Sequence, residues 1–180
     1  RRDLSNRDIA FGIYRLYLPE ISVRFACMKT MQEWLDEYGS HHRNSLNKII
    51  HWICVPLIFF SIVGLLYSVK LQYTVFEFRI NLAVFALVFV MLFYQKLSVT
   101  LSFGMFLFSI ICLFFCNLIE LSGYRLWLVS VIVFASAWVG QFIGHMIEGR
   151  KPSFLDDMRF LLIGPAWLMS FIYKKVGIRI

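Results

Sequence analysis

The sequence predicts an all-α, polytopic membrane protein: four transmembrane helices followed by a C-terminal helix that re-enters the bilayer or lies on it. Composition is the first reason. Of 180 residues, 59% are hydrophobic, 19 are Phe and only 16% are charged, far from the averages of soluble domains. The placement of charge is the second. Lys48 to Lys70 encloses 21 residues without a formal charge, Lys96 to Glu120 encloses 23 and Arg125 to Glu148 encloses 22, each enough to cross roughly 30 Å of hydrocarbon as a helix. Arg79 to Lys96 encloses only 16, about 24 Å of helix, so this span needs thinner lipid or flanking cations that snorkel.

A net charge of +7 raises nucleic acid as a partner, but the basic residues punctuate apolar runs and form no stripe. They read instead as orientation signals and contacts for anionic lipid. Cys27, Cys54, Cys112 and Cys116 make neither zinc-type pairs nor a Cys-x-x-Cys. Cys112 and Cys116 share a helix face, where small apolar packing is their role.

Residues 1–27 are Arg-rich, broken by Pro19, and hold no apolar core long enough for a signal peptide or a span. They form an N-terminal extension set apart from a single helical membrane domain, 28–180. Lys29 to Tyr38 places Met31, Trp34, Leu35 and Tyr38 opposite Glu33, Asp36 and Glu37, the pattern of a short interfacial amphipathic helix ended by Gly39. Asn44 suits an N-cap for the first span, from residue 45 to about Val69, bent by Pro56. Lys70 to Arg79 reads as an interfacial loop. The second span is Ile80 to Gln95 and the third Leu97 to Ile119, whose Ser98, Ser102, Gly104 and Ser109 admit neighbouring helices. The fourth, Leu126 to Ile147, carries a small-residue ridge of Ser136, Gly140 and Gly144. Beside it, Gln141, His145 and Glu148 form a polar stripe. A charged turn with helix starts at Ser153 and Asp156 then feeds the run Phe160 to Tyr173, interrupted by Gly164 and Pro165.

Four spans put both ends on one side, and the larger Lys and Arg clusters assign that side to the cytoplasm. Lys70, Arg79 and Arg125 face away. His41, His42, His51 and His145, all the histidines of the chain, then fall in one layer at the cytoplasmic surface. A single interfacial imidazole is ordinarily just hydrogen-bonded to backbone or headgroup. Four at one depth, with Asn47 beside His51 and Gln141 beside His145, point instead to a metal held by His42, His51 and His145, with His41 a further candidate. Such a donor set suits Fe(II), Zn(II) or Cu, and the absence of usable Cys argues against an iron-sulfur cluster. Glu148 is open to three roles: ligand, acceptor for an imidazole N–H, or helix-end charge paired with Arg150 or Lys151.

The pattern His42-x4-Asn47-x3-His51-Trp52-x3-Pro56, followed by Gln141-Phe142-Ile143-Gly144-His145-x2-Glu148-Gly149-x2-Pro152 and Ile163-Gly164-Pro165, closely resembles the membrane 2-hydroxy-fatty-acid dioxygenase family. The likeness covers roughly Met28 to Gly177. It implies an Fe(II)-dependent α-oxidation in which a 2-hydroxy fatty acid and O2 give CO2 and a fatty acid one carbon shorter. The family's fungal type does this in the ER during phytosphingosine breakdown. The motif histidines needed for activity fall on His42, His51 and His145, leaving Asn47, Gln141, Glu148 and Lys151 to support the metal or position substrate. Many members have Pro at the place of Ser45, and the fungal type has one more residue between the histidine matching His145 and its Glu, so this chain looks like a bacterial-type member of an inner membrane. The rival readings are another metal-dependent lipid enzyme of the zinc hydrolase kind, a haem-binding electron carrier using His51 and His145, and a non-enzymatic four-helix membrane protein. The sequence is silent on oligomeric state.

Overall fold

The computed structural model describes residues 30–75, 78–149 and 160–178. The expected extension 1–27 and the expected helix starts at Ser153 and Asp156 lie outside them, as do Arg150 and Lys151. Six helices and one hairpin make up the described residues: α1 (Met31–Ser40), α2 (Ser45–Ser68), β1 (Lys70–Val75), β2 (Phe78–Asn81), α3 (Leu82–Leu97), α4 (Val99–Leu121), α5 (Leu126–Ile147) and α6 (Ile163–Val176). Helices α2, α4 and α5 are long and apolar enough to cross a membrane, whereas α3 is a shorter apolar helix.

Local chemistry sets the boundaries. A capping box opens α1, with the Thr30 hydroxyl receiving the Glu33 N–H and the Glu33 carboxylate receiving the Thr30 N–H. The helix does not end at Gly39 as its sequence suggests but runs to Ser40. Gly39 is there for closeness: a β-carbon on it would lie 3.2 Å from the Trp167 indole nitrogen. Asn44 caps α2 by accepting from the Leu46 N–H, and α2 continues through Pro56. Ser98 ends α3 and also caps α4, so the turn expected at Lys96 falls two residues later.

The segment from Lys70 to Arg79 is not the interfacial loop expected. It is an antiparallel hairpin that pairs Lys70 with Asn81, Thr74 with Arg79 and Val75 with Phe78. Tyr73, Thr74, Val75 and Phe78 are the β-branched and aromatic residues that favour strand. At this end of the bundle Lys70 meets Glu120 at 2.8 Å, with both side chains one-third exposed, a pair worth little by itself.

Helix α2 lies against α5 with backbones close together. A β-carbon at Gly140 would sit 2.6 Å from Cys54 Sγ, and one at Gly64 would strike Ser130 Oγ. The ridge differs from the expected one, because Ser136 is exposed while Ser130, Ala137, Gln141 and Gly144 are buried. Gly104 on α4 does admit a neighbour: a β-carbon there would collide with the Tyr173 hydroxyl of α6. Cys112 and Cys116 are buried in the core beside Leu101 and Met105.

The C-terminal helix is not interrupted by Gly164 and Pro165. Both lie in its first turn, where a proline's missing N–H costs no helical hydrogen bond. Residues Ile163 to Leu168 are all buried, packed with Leu35, Tyr38 and Val55 of α1 and α2. Helix α1 therefore covers α6 with its apolar face. Two hydroxyls tether α6: Tyr94 of α3 donates to the Leu162 carbonyl at 2.6 Å, and Tyr173 donates to the Thr100 carbonyl at 2.8 Å. Tyr94→Phe is expected to cost about 1 kcal/mol, seen as a lower melting temperature in detergent. An unchanged melt would show that the tether does not hold α6.

Candidate metal centre

Three imidazoles from three elements converge at one end of the bundle. His42 follows α1, His51 lies in the second turn of α2, and His145 lies in the last turn of α5. All three are buried, and one nitrogen of each falls within 4.8 Å of the others. Ring centroids are 4.3 Å apart for His42 and His51, 5.0 Å for His51 and His145, and 5.7 Å for His42 and His145.

The hydrogen bonds set the protonation of two rings. His42 Nδ1 lies 2.8 Å from the Tyr38 carbonyl and His51 Nδ1 lies 3.0 Å from the Asn47 carbonyl. A carbonyl only accepts, so in each ring Nδ1–H donates, and in the neutral imidazole Nε2 keeps the lone pair. That is how an imidazole is prepared as a metal ligand. The donor set therefore fits a divalent transition ion, Fe(II) and Zn(II) alike. It fits poorly as a pair of axial haem ligands. His51 and His145 meet edge to face at 5.0 Å, with His42 against both rings and no slot between them for a macrocycle.

Around the triad the walls are aromatic. Tyr38 stacks on His42 at 4.3 Å and Trp167 lies 5.6 Å from the same ring. Sequence reasoning assigned neither to the site. Tyr38 lies four residues before His42, one helical turn, and this spacing is the signal in the sequence that could place it at the site. Trp167 had no signal except its place just after Gly164-Pro165. His41 stands outside the triad, with its ring 6.0 Å from that of Phe160.

Asn47, Glu148 and Gln141 surround the triad's end of the bundle in different ways. Asn47 is fully buried and serves His51 through its backbone carbonyl, while its side-chain amide donates to Glu148 Oε2 at 3.0 Å. Glu148 meets backbone rather than an imidazole. Its carboxylate receives the N–H of Arg43 at 2.8 Å and that of Asn44 at 2.9 Å. Burial pushes this carboxyl up, but the N–H of Asn44, the Asn47 amide and the N–H of Arg43 outweigh it and hold the group below the usual carboxylate range. Gln141 is 5% exposed. It lines a cavity of about 20 Å³ with Tyr38, Val55, Ile58, Trp138, Phe160, Leu161 and Gly164, space for one water.

The family model of the 2-hydroxy-palmitic acid dioxygenase Mpo1-like proteins matches residues 28–176. The chain belongs to the Mpo1-like family. It is similar to the 2-hydroxy-palmitic acid dioxygenase MPO1 of Saccharomyces cerevisiae, with 27% identity over 165 residues and 82% of each chain covered. No solved structure matches. In this Mpo1-like chain all three histidines of the triad lie inside the matched segment.

Proposed function

We propose that this Mpo1-like protein is an Fe(II)-dependent membrane dioxygenase that converts a 2-hydroxy fatty acid and O2 into CO2, water and the fatty acid one carbon shorter. The observation that carries it is the buried triad His42, His51 and His145, two of its rings tautomerically set as ligands, in a chain whose family is named for such an enzyme. The conversion balances with no outside reductant: the 2-hydroxy acid gives up four electrons and O2 takes them.

Ferrous iron, when bound, supplies the redox chemistry that joins O2 to a spin-paired acid. The chain's own residues do the rest. His42, His51 and His145 would hold the ion and would leave room on it for a bidentate 2-hydroxy carboxylate. Tyr38 and Trp167 keep bulk water from His42. Gln141, just before His145 on the same face, offers an amide near the substrate's polar end, and Lys151 is an additional candidate for steering the carboxylate. The acyl chain stays among apolar helices and lipid.

We further infer four membrane crossings, with α3 as the short one. Its start is tied to the end of α2, where the Leu82 N–H donates to the Val69 carbonyl at 3.1 Å. Near its other end Tyr94 is tied to Leu162, just before α6, so its 16 residues run from the end of α2 to the start of α6. By charge, the triad end faces the cytoplasm, of a bacterial inner membrane or, in a eukaryote, the ER.

The zinc-hydrolase alternative is separated by one experiment. Protein stripped with a chelator and reloaded anaerobically with Fe(II) is expected to consume O2 and convert 2-hydroxypalmitate to the acid one carbon shorter, whereas Zn(II) is expected to restore nothing. Activity with Zn(II), or full turnover in stripped protein, would overturn the ferrous assignment.

A further inference from the structure

We propose that Glu148 is the strut that sets the three imidazoles in register, a positioning residue acting through the backbone beside His42 and through Asn47. The inference rests on the triad being a metal centre. It adds the residue that holds the centre together.

One carboxylate reaches all three histidine-bearing segments. Glu148 caps the C-terminus of α5, three residues beyond His145. Its Oε1 accepts from the N–H of Arg43, the neighbour of His42, at 2.8 Å. The Asn44 N–H is shared between its oxygens at 2.9 and 3.1 Å, and Asn44 is the residue that caps α2. Its Oε2 accepts from Asn47 Nδ2 at 3.0 Å, and the Asn47 carbonyl in turn holds His51 Nδ1. These contacts join parts of the chain more than a hundred positions apart.

The need for such a tie follows from the packing. Helices α2 and α5 come closest at Gly64, Gly140 and Gly144, with Ile58 packed on Ala137 and Trp138 between them, so the positions of His51 and His145 depend on how the two helices are set along each other. A slide of an ångström would separate His51 from His145. The carboxylate pins that coordinate at the end of both helices, where the first N–H groups of α2 have no helical partner and the positive end of the helix favours an anion. Only an acceptor on both oxygens serves here, since every group it meets is a donor. Gln in its place turns an N–H2 toward donors, and Asp is one methylene short.

Cobalt(II) is the probe, because its visible absorption reports ligand geometry directly. Wild type, Glu148→Ala, Glu148→Gln, Asn47→Ala and the double variant Asn47→Ala/Glu148→Ala are titrated with Co2+ in detergent against a competing chelator, and the metal-free forms are melted in parallel. Glu148→Ala is expected to bind Co2+ about 10–100-fold more weakly with a shifted spectrum, Glu148→Gln to fall between it and wild type, and Asn47→Ala to be less than additive with Glu148→Ala. A uniform loss of stability would weaken binding without moving the absorption bands, so an unshifted spectrum in Glu148→Ala overturns the proposal, as does unchanged affinity. Should Glu148→Ala fail to fold, Glu148→Gln decides by the same two readings. Wild type that takes up no Co2+ overturns the metal centre itself.

Discussion

His51→Ala is expected to purify without stoichiometric metal and to lose 2-hydroxypalmitate conversion by on the order of 10³-fold or more, beyond the 10–100-fold that outer partners of a metal command. His51 is the pivot of the triad. It is 1% exposed, its ring touches both of the others, and its Nδ1–H is anchored two turns inside a transmembrane helix. Truncation removes one donor of three and leaves the remaining pair on separate elements with nothing between them. His41→Ala is the matched control: the residue lies in the same layer yet outside the triad, and it should keep metal and turnover near wild type. The measurements are metal per protein after anaerobic loading and O2 uptake. Stoichiometric iron in His51→Ala would mean that the three imidazoles are packing residues.

What the sequence revealed and what it hid divide along a physical line. Features written in adjacent residues were legible. The limits Leu126 to Ile147 of α5 coincide with those expected, because Arg125 and Glu148 cannot enter the apolar segment, and Asn44 marked the start of α2 because an Asx side chain there satisfies an otherwise orphaned N–H. Partners were not legible. Periodicity showed that α1 has an apolar face but not that α6 would cover it, so a helix expected on the lipid surface turned out to wall the metal centre with Tyr38. Of the small-residue ridge, Gly140 and Gly144 do meet α2, and Ser136 falls away from it for a geometric reason. A repeat of four drifts about 40° per step around a helix of 3.6 residues per turn, which carries Ser136 outward while Gly144 stays in contact. Spacings averaging nearer 3.5 keep one seam, and Ser130, Ala137, Gln141 and Gly144 follow it. The hairpin was hidden because aromatic residues beside a span read equally as interfacial anchors. Among the histidines, the set His42, His51 and His145 expected from the sequence is the one that converges, while the place of His41 stayed open. Only the turn after α1 decides that His42 enters the triad while His41 does not.

Gly144→Val is expected to disable both the helix packing and the metal centre, and it tests whether the two are one structure. A β-carbon at this position would collide with Asn47 Oδ1 and lie 3.4 Å from both His51 Cε1 and Ile50 Cγ2. Asn47 cannot retreat, since its amide is held by Glu148 and its carbonyl by His51. The added methyls must therefore push α2 away from α5, the one motion that separates His51 from His145. Overpacking of this sort costs about 1–3 kcal/mol, and here the displaced groups are the ligands themselves, so metal affinity should fall with stability. Gly140→Ala provides the contrast. Its β-carbon would press on Cys54 Sγ at 2.6 Å, one turn deeper, and should lower the melting temperature while leaving the ion better bound than in Gly144→Val. Ser136→Val, on the exposed face, should stay within about 0.5 kcal/mol of wild type. Melting of the metal-free proteins and chelator competition with the loaded ones separate the two effects. If Gly144→Val holds metal as tightly as the parent, the imidazoles do not depend on how closely α2 and α5 approach, and the centre is not assembled by this interface.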